Sequence, residues 1–270
     1  MIKLLRADLS RMFKSKPFWV CVILSAALSV LNCVTLSAGW EEHTSRLILS
    51  GGSNSILFMA IFTPLFVGTD YSHGTIRNKL IVGAKRPSIY FSNLLTVIVG
   101  DLLIAVAAYL PKVITAFFGE SFGMGADEFA ACMIISLCAY IAVSAIFAML
   151  GMLIASRSRN IAITIVATFL LVIGAAVILD VLNAPEYVSD FIVTVDGIQQ
   201  SDPMPNPGYI PPGAKREILT TITDILPMGQ MIQMELGELH NQNVMPLYSL
   251  GVLTLASAAG IAIFRRKDLK

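Results

Sequence analysis

From Phe18 to Ala38 the chain runs for about 21 residues without a charged side chain, and five further apolar runs follow it. As a helix such a run is roughly 31 Å long, enough to cross the hydrocarbon core of a bilayer. Backbone groups within that core must bond inside their own segment, which restricts runs of this kind to helices. The runs lie at about 18–38, 47–69, 95–118, 129–155, 161–182 and 244–264. With 56% of residues hydrophobic and 14% charged, there are too few charges to cover a water-soluble globule of this size. The expected fold is an all-α membrane protein: six transmembrane helices forming a single domain over 1–270, preceded at 1–17 by an amphipathic interfacial helix.

In that first segment Ile2, Leu5, Leu9, Met12 and Phe13 recur at helical spacing, with Lys3, Arg6, Arg11 and Lys14 around the other side. This is the pattern of a helix lying among lipid headgroups. Pro17 ends it. The segment is long and patterned, and no small-residue cleavage site follows cleanly, so the first apolar run is expected to be retained as a span. Trp40, Glu41 and Glu42 form an acidic outer loop; Pro64 interrupts the second span, and the glycine-rich loop around Glu120 to Glu128 is again acidic. Ser144, Ala148, Gly151 and Ala155 give span four a small-residue face for close helix approach. The four cysteines lie inside apolar runs without CxxC spacing, which suits packing and suggests neither a disulfide framework nor a zinc site.

Six spans put both termini on one side, and the basic residues test this. Five lie in the N-terminal segment, four between spans two and three, two in the SRSRN turn and four in the tail, so fifteen of nineteen fall on the proposed cytoplasmic side. That asymmetry is the positive-inside pattern of a plasma (inner) membrane protein with cytoplasmic termini, and not a signature of nucleic-acid binding. The segment 183–243 is then extracellular. Its stretch SDPMPNPGYIPPG is too rich in Pro and Gly for a helix or a central strand. Beyond it Ile218, Leu219, Ile222, Ile225 and Leu226 predict an amphipathic helix on the outer leaflet, stopped by Pro227, Met228 and Gly229.

Chemistry is sparse. The chain has no GxxxxGK[ST] phosphate loop, no HExxH and no GxSxG, and its three histidines are scattered over different loops. Bond-making catalysis is not expected, nor a cofactor bound by this chain. Two ionisable residues fall within span three, Asp101 and Lys112. Eleven residues apart on a helix, they share a face but are separated by about 16 Å, so they cannot pair with each other. Asp101 is expected to bond hydroxyls or amides of neighbouring helices and Lys112 to snorkel outward, while both stay candidates for a translocation path.

The polar interlude 70–94 is the most informative stretch. Thr75 as N-cap and Gly83 as left-handed C-cap predict a small helix, with Ile76 and Leu80 on one face to dock on a partner and Arg77, Asn78 and Lys79 elsewhere. The order Asp70, Gly74-Thr75, Ile76-Arg77-Asn78-Lys79-Leu80, Gly83, Arg86, then Ile89-Tyr90 and Asn93-Leu94 resembles the permease subunits of type-2 ATP-binding-cassette exporters. The likeness is to the small bacterial six-span group allied to bacitracin and lantibiotic resistance. The SRSRN turn after Gly151, Leu226-Pro227 with Gln230, and Gly260 with Phe264-Arg265-Arg266-Lys267-Asp268 extend it over nearly the whole chain. Asp70 stands where many relatives have Glu, and Pro87 directly follows the basic residue.

The resemblance implies that a separate ATPase subunit, in two copies, binds ATP and Mg, and that a second permease copy, identical or related, completes the transporter in the membrane lipid. Asp70, Gly74, Thr75, Ile76, Arg77, Lys79, Leu80 and Arg86 would form the ATPase-coupling segment. Ile222, Leu226 and Pro227 would belong to an extracellular gate. The substrate, a peptide antibiotic, a lipid or another amphiphile, is not named by these spans. The alternative from another class is a membrane sensor or scaffold with a ligand-binding extracellular segment. Secondary transport lacks an acidic relay, since Asp101 is the one acid at membrane depth.

Overall fold

The computed structural model describes residues 1–37, 49, 51–117, 125–154, 157–189, 191–194, 197–200, 202–237 and 239–266. The outer loop with Trp40, Glu41 and Glu42, most of the acidic loop after span three, part of the SRSRN turn, and Lys267 and Asp268 lie outside the described residues.

A short helix α1 (Ile2–Phe13) leads into α2 (Lys16–Ser37). α3 (Gly51–Ser72), α4 (Thr75–Ile81), α5 (Arg86–Phe117), α6 (Ala126–Leu153) and α7 (Arg157–Leu182) follow. Four short strands come next: β1 (Tyr187–Val188), β2 (Phe191–Thr194), β3 (Gly197–Gln200) and β4 (Met204–Pro205). They pair antiparallel as β1 with β4 and β2 with β3. The chain closes with α8 (Ala214–Ile225), α9 (Pro227–Leu236) and α10 (Met245–Arg266). Among the described residues six helices, α2, α3, α5, α6, α7 and α10, are long and apolar enough to cross a membrane. The chain is a multi-pass, all-α membrane protein.

The spans differ from the sequence expectation mainly at one place. α3 runs on to Ser72 and α5 begins at Arg86, so the interlude shrinks to 73–85 and Asp70 is inside a helix. Pro87 explains the early start of α5, because a proline in the first helical turn has no hydrogen bond to lose and its φ is preset.

α3, α5 and α6 form the spine. Gly151 of α6 lets the two backbones close up, since a Cβ there would sit 3.2 Å from Val67 Cβ of α3. The small-residue face of span four, with Ser144, Ala148 and Gly151 buried, is therefore spent inside the chain. α2 is held on α5 by two hydroxyls, Ser25 donating to the Ile104 carbonyl at 3.2 Å and Ser29 to that of Ala108 at 2.5 Å. Arg86 donates to the carbonyls of Phe264 (3.3 Å) and Arg265 (2.9 Å), tying the start of α5 to the end of α10. The start of α5 and the end of α10 consequently lie at one end of the bundle, together with α1.

At the other end the predicted helix stops before Pro227, as expected, and the same proline opens a second helix. It disfavours the helical conformation at Leu226, which is extended (φ −75°, ψ 118°), and presets the first turn of α9. The result is a helical corner in which α8 exposes Ile218, Ile222 and Ile225, while α9 is buried along Pro227, Met228, Gly229, Gln230 and Met231. Gly229 permits it: a Cβ there would lie 2.3 Å from the Thr223 carbonyl oxygen, a backbone atom. Gly229→Ala should therefore lower stability by about 1–3 kcal/mol through overpacking. Gly251→Ala in α10, with nothing within 4 Å of its Cβ, supplies the matched control. Equal melting midpoints for the two variants in detergent would contradict the close corner.

Candidate functional site

The polar groups of the spine fall in three tiers. On α3 they are carried by Ser55, Thr63 and Asp70, spaced by about two helical turns and so on one face.

The tier farthest from the termini is neutral. Ser55 donates to the Tyr140 hydroxyl at 2.9 Å, and Tyr140 lies 3.4 Å from the Tyr109 hydroxyl. Nearby, Lys112 is fully buried, which corrects the expectation that it snorkels outward. Glu235, half-buried on α9, is one of the groups near enough to act on it electrostatically. The middle tier is Asp101, also fully buried, accepting from Thr63 Oγ1 at 3.3 Å and bonded by the Ser144 hydroxyl. It meets hydroxyls of neighbouring helices, as its position within a span predicts.

The tier nearest the termini is ionic and joins four elements. Arg11 of α1 makes a two-pronged pair with Asp70 of α3, its Nη2 donating to Oδ2 at 3.0 Å and its Nη1 paired with Oδ1. The guanidinium carbon also sits 4.3 Å from the centre of the Phe66 ring. Lys79 of α4 donates to Asp8 of α1 at 2.7 Å and is 3.5 Å from Asp70. Ser92 of α5 donates to the second Asp8 oxygen at 2.7 Å. Asp8 and Asp70 are both buried, at 2% and 0% exposure, so their charges depend on these partners. Burial draws the Lys79 ammonium down from the ordinary lysine value, and the hydrogen bond to Asp8 opposes it. Burial likewise lowers Arg11, with Asp8 acting against it.

Local sequence explains how α4 reaches this cluster. Gly74, at φ 64°, takes the left-handed conformation that glycine adopts freely, turning the chain so that Thr75 opens the helix; Gly74, not Thr75, is the N-cap. At the far end Gly83 (φ 91°) is the left-handed residue that was expected. Its N–H donates to Leu80 and that of Ala84 to Lys79, a Schellman closure. Between these turns Ile76 is buried and Leu80 half-buried against the core, so the face expected to dock a partner is turned into the protein. Facing outward are Arg77 and Asn78, with Ile81 at 74% and Val82 at 88% exposure. Arg86 is occupied with the α10 carbonyls. Of the predicted coupling residues, the structure brings Asp70 and Lys79 together and adds Asp8 and Arg11. The amphipathic pattern of α1 hides those two, because Asp8 interrupts its apolar stripe at the very point where the ion pair forms.

At the opposite end Asp224 is fully buried, accepting from Gln233 at 3.0 Å and Asn241 at 2.7 Å. Gln230 bridges the corner, donating to the carbonyls of Asp224 (2.6 Å) and Met245 (3.0 Å) and accepting from Ser249 (2.8 Å). Of the residues assigned to a gate, Ile222 is exposed, Leu226 forms the corner and Pro227 is buried. A cavity of about 460 Å3 opens at this end, lined by Leu49, Glu128, Cys132, His240, Asn241 and Gln242 among others and by none of these three residues.

No family model matches this sequence. It is similar to an uncharacterized membrane protein of Bacillus subtilis (strain 168), YdbK, at 24% identity over 183 residues, covering 64% of this chain and 74% of that protein. That likeness agrees with the six apolar helices.

Proposed function

We propose that this membrane protein is the permease subunit of an ATP-binding-cassette exporter, moving an amphiphilic substrate outward from the plasma membrane. A separate ATPase subunit, in two copies, binds ATP and Mg and drives it from the cytoplasmic side, where both termini lie. A second permease copy, identical or related, completes the pathway; α7, which exposes Val166, Phe169, Leu170 and Ile173, offers surface for it or for lipid. The observation that carries the reading is the pairing of an exposed apolar tip, Ile81 and Val82, with a buried ionic link from the same helix to α1, α3 and α5. A partner gripping that tip would move Lys79, and through Asp8 and Asp70 the force would reach three elements at once. The mechanism requires no chemistry from this chain, only transmission of a displacement.

The cavity beside His240 favours a second reading, a sensor whose extracellular segment binds a ligand. Co-purification separates the two. The protein, expressed with its chromosomal neighbours and solubilised in mild detergent, is expected to retain a stoichiometric ATPase. Recovery without any nucleotide-hydrolysing partner would count against the exporter and for the sensor.

A further inference from the structure

A groove of about 620 Å3 runs between α1, the end of α3 and the start of α4, lined by Ser10, Arg11, Lys14, Thr69, His73 and Thr75 among others. Among the described residues no carboxylate lines it. The two acids behind it, Asp8 and Asp70, are already balanced by Lys79 and Arg11, so that cluster carries no net charge. Lys14 and His73 are exposed, and among the described residues Lys14 has no ion pair. The Thr69 hydroxyl is given to the Phe66 carbonyl, so the groove presents an unspent ammonium, an imidazole and the hydroxyls of Ser10 and Thr75, a set suited to an oxyanion with acceptors on several sides.

Its depth can be read from aromatic residues. Trp19, 49% exposed, donates its indole N–H to the Phe13 carbonyl at 2.8 Å, and Phe13 is 45% exposed beside Lys14. An indole with its ring outward and its N–H bonded to backbone is the arrangement of the membrane–water boundary. We propose that this groove binds a phosphate group, carried by an anionic phospholipid of the adjoining leaflet or free in solution. Bound there, the phosphate would bridge α1 to the α3–α4 turn next to the ionic tier. The inference does not depend on the exporter reading, since it concerns the permease alone.

The test uses the purified full chain in dodecyl maltoside, with Trp fluorescence and native mass spectrometry as readouts. Dioctanoyl phosphatidic acid is compared with dioctanoylglycerol, which has the same tails and no phosphate. The acid should bind at least tenfold more tightly. Lys14→Gln/His73→Gln should lose about tenfold, while Lys3→Gln, which removes a charge elsewhere on α1, should stay within twofold. Saturation by millimolar inorganic phosphate alone would assign the site to a soluble phosphate, and failure of inorganic phosphate to compete would assign it to the lipid. Equal binding of the two dioctanoyl probes, or an equal loss in Lys3→Gln, would overturn the proposal. None of these outcomes bears on whether an ATPase co-purifies.

Discussion

Asp70→Asn should destabilise the protein by about 3–5 kcal/mol, the range for breaking a buried ion pair by removing one partner. The amide keeps the shape of the carboxylate but leaves Arg11 and Lys79 to share Asp8 alone, turning a neutral cluster into one with a net positive charge. Asp70 is fully buried, so water cannot compensate. The expected readout is a large fall in the melting midpoint in detergent, with α1 becoming accessible to protease. Arg11→Gln added to Asp70→Asn restores neutrality and should recover part of the loss, giving a coupling of about 0.5–3 kcal/mol in a double-mutant cycle. Asp101→Asn is the control, because among the described residues its carboxylate meets hydroxyls and no cation, and an amide can still bond them. If Asp70→Asn melts no lower than Asp101→Asn, the ionic tier does not hold α1 to the bundle.

The contrast between these two aspartates marks what the sequence can and cannot reveal. Asp101 is conspicuous because it interrupts a long apolar run, and its need for neighbouring hydroxyls follows from burial alone. Asp70 is visible as the last acid of a span, but its partner Arg11 is 59 residues away and lies in a helix whose pattern reads as lipid-facing. Helical spacing gives the faces of α4 correctly, yet the apolar face expected to meet a partner packs on its own chain, because periodicity cannot say which of the two it meets. The helix that opens at Pro227 escapes the sequence for a related reason: a proline that ends one helix is equally suited to begin another, and Gly229, by admitting the Thr223 carbonyl, lets the two meet in a corner. The six spans were legible because length and lack of charge alone suffice there.

On the proposed exporter reading, Ile81→Glu/Val82→Glu should abolish ATPase association while leaving the fold intact. Both side chains are largely exposed, so charging them opens no cavity and buries no carboxylate, and their effect on stability should be within about 0.5 kcal/mol, as for ordinary surface changes. At a docking surface the same change places two carboxylates where an apolar anchor would be desolvated. Losing a hot-spot anchor costs about 2 kcal/mol or more, so loss of two together corresponds to roughly a thousandfold in affinity. Leu80→Asp gives the opposite pattern. Leu80 packs against the core, so a carboxylate there should lower the melting midpoint before it says anything about coupling. The decisive comparison is a pull-down of the two variants beside the native chain, each checked by size-exclusion chromatography. Native-like elution with no retained ATPase for Ile81→Glu/Val82→Glu would locate the docking surface at the helix tip. Full retention of the ATPase by that variant would remove the tip from the mechanism and leave the ionic tier without a partner to move it.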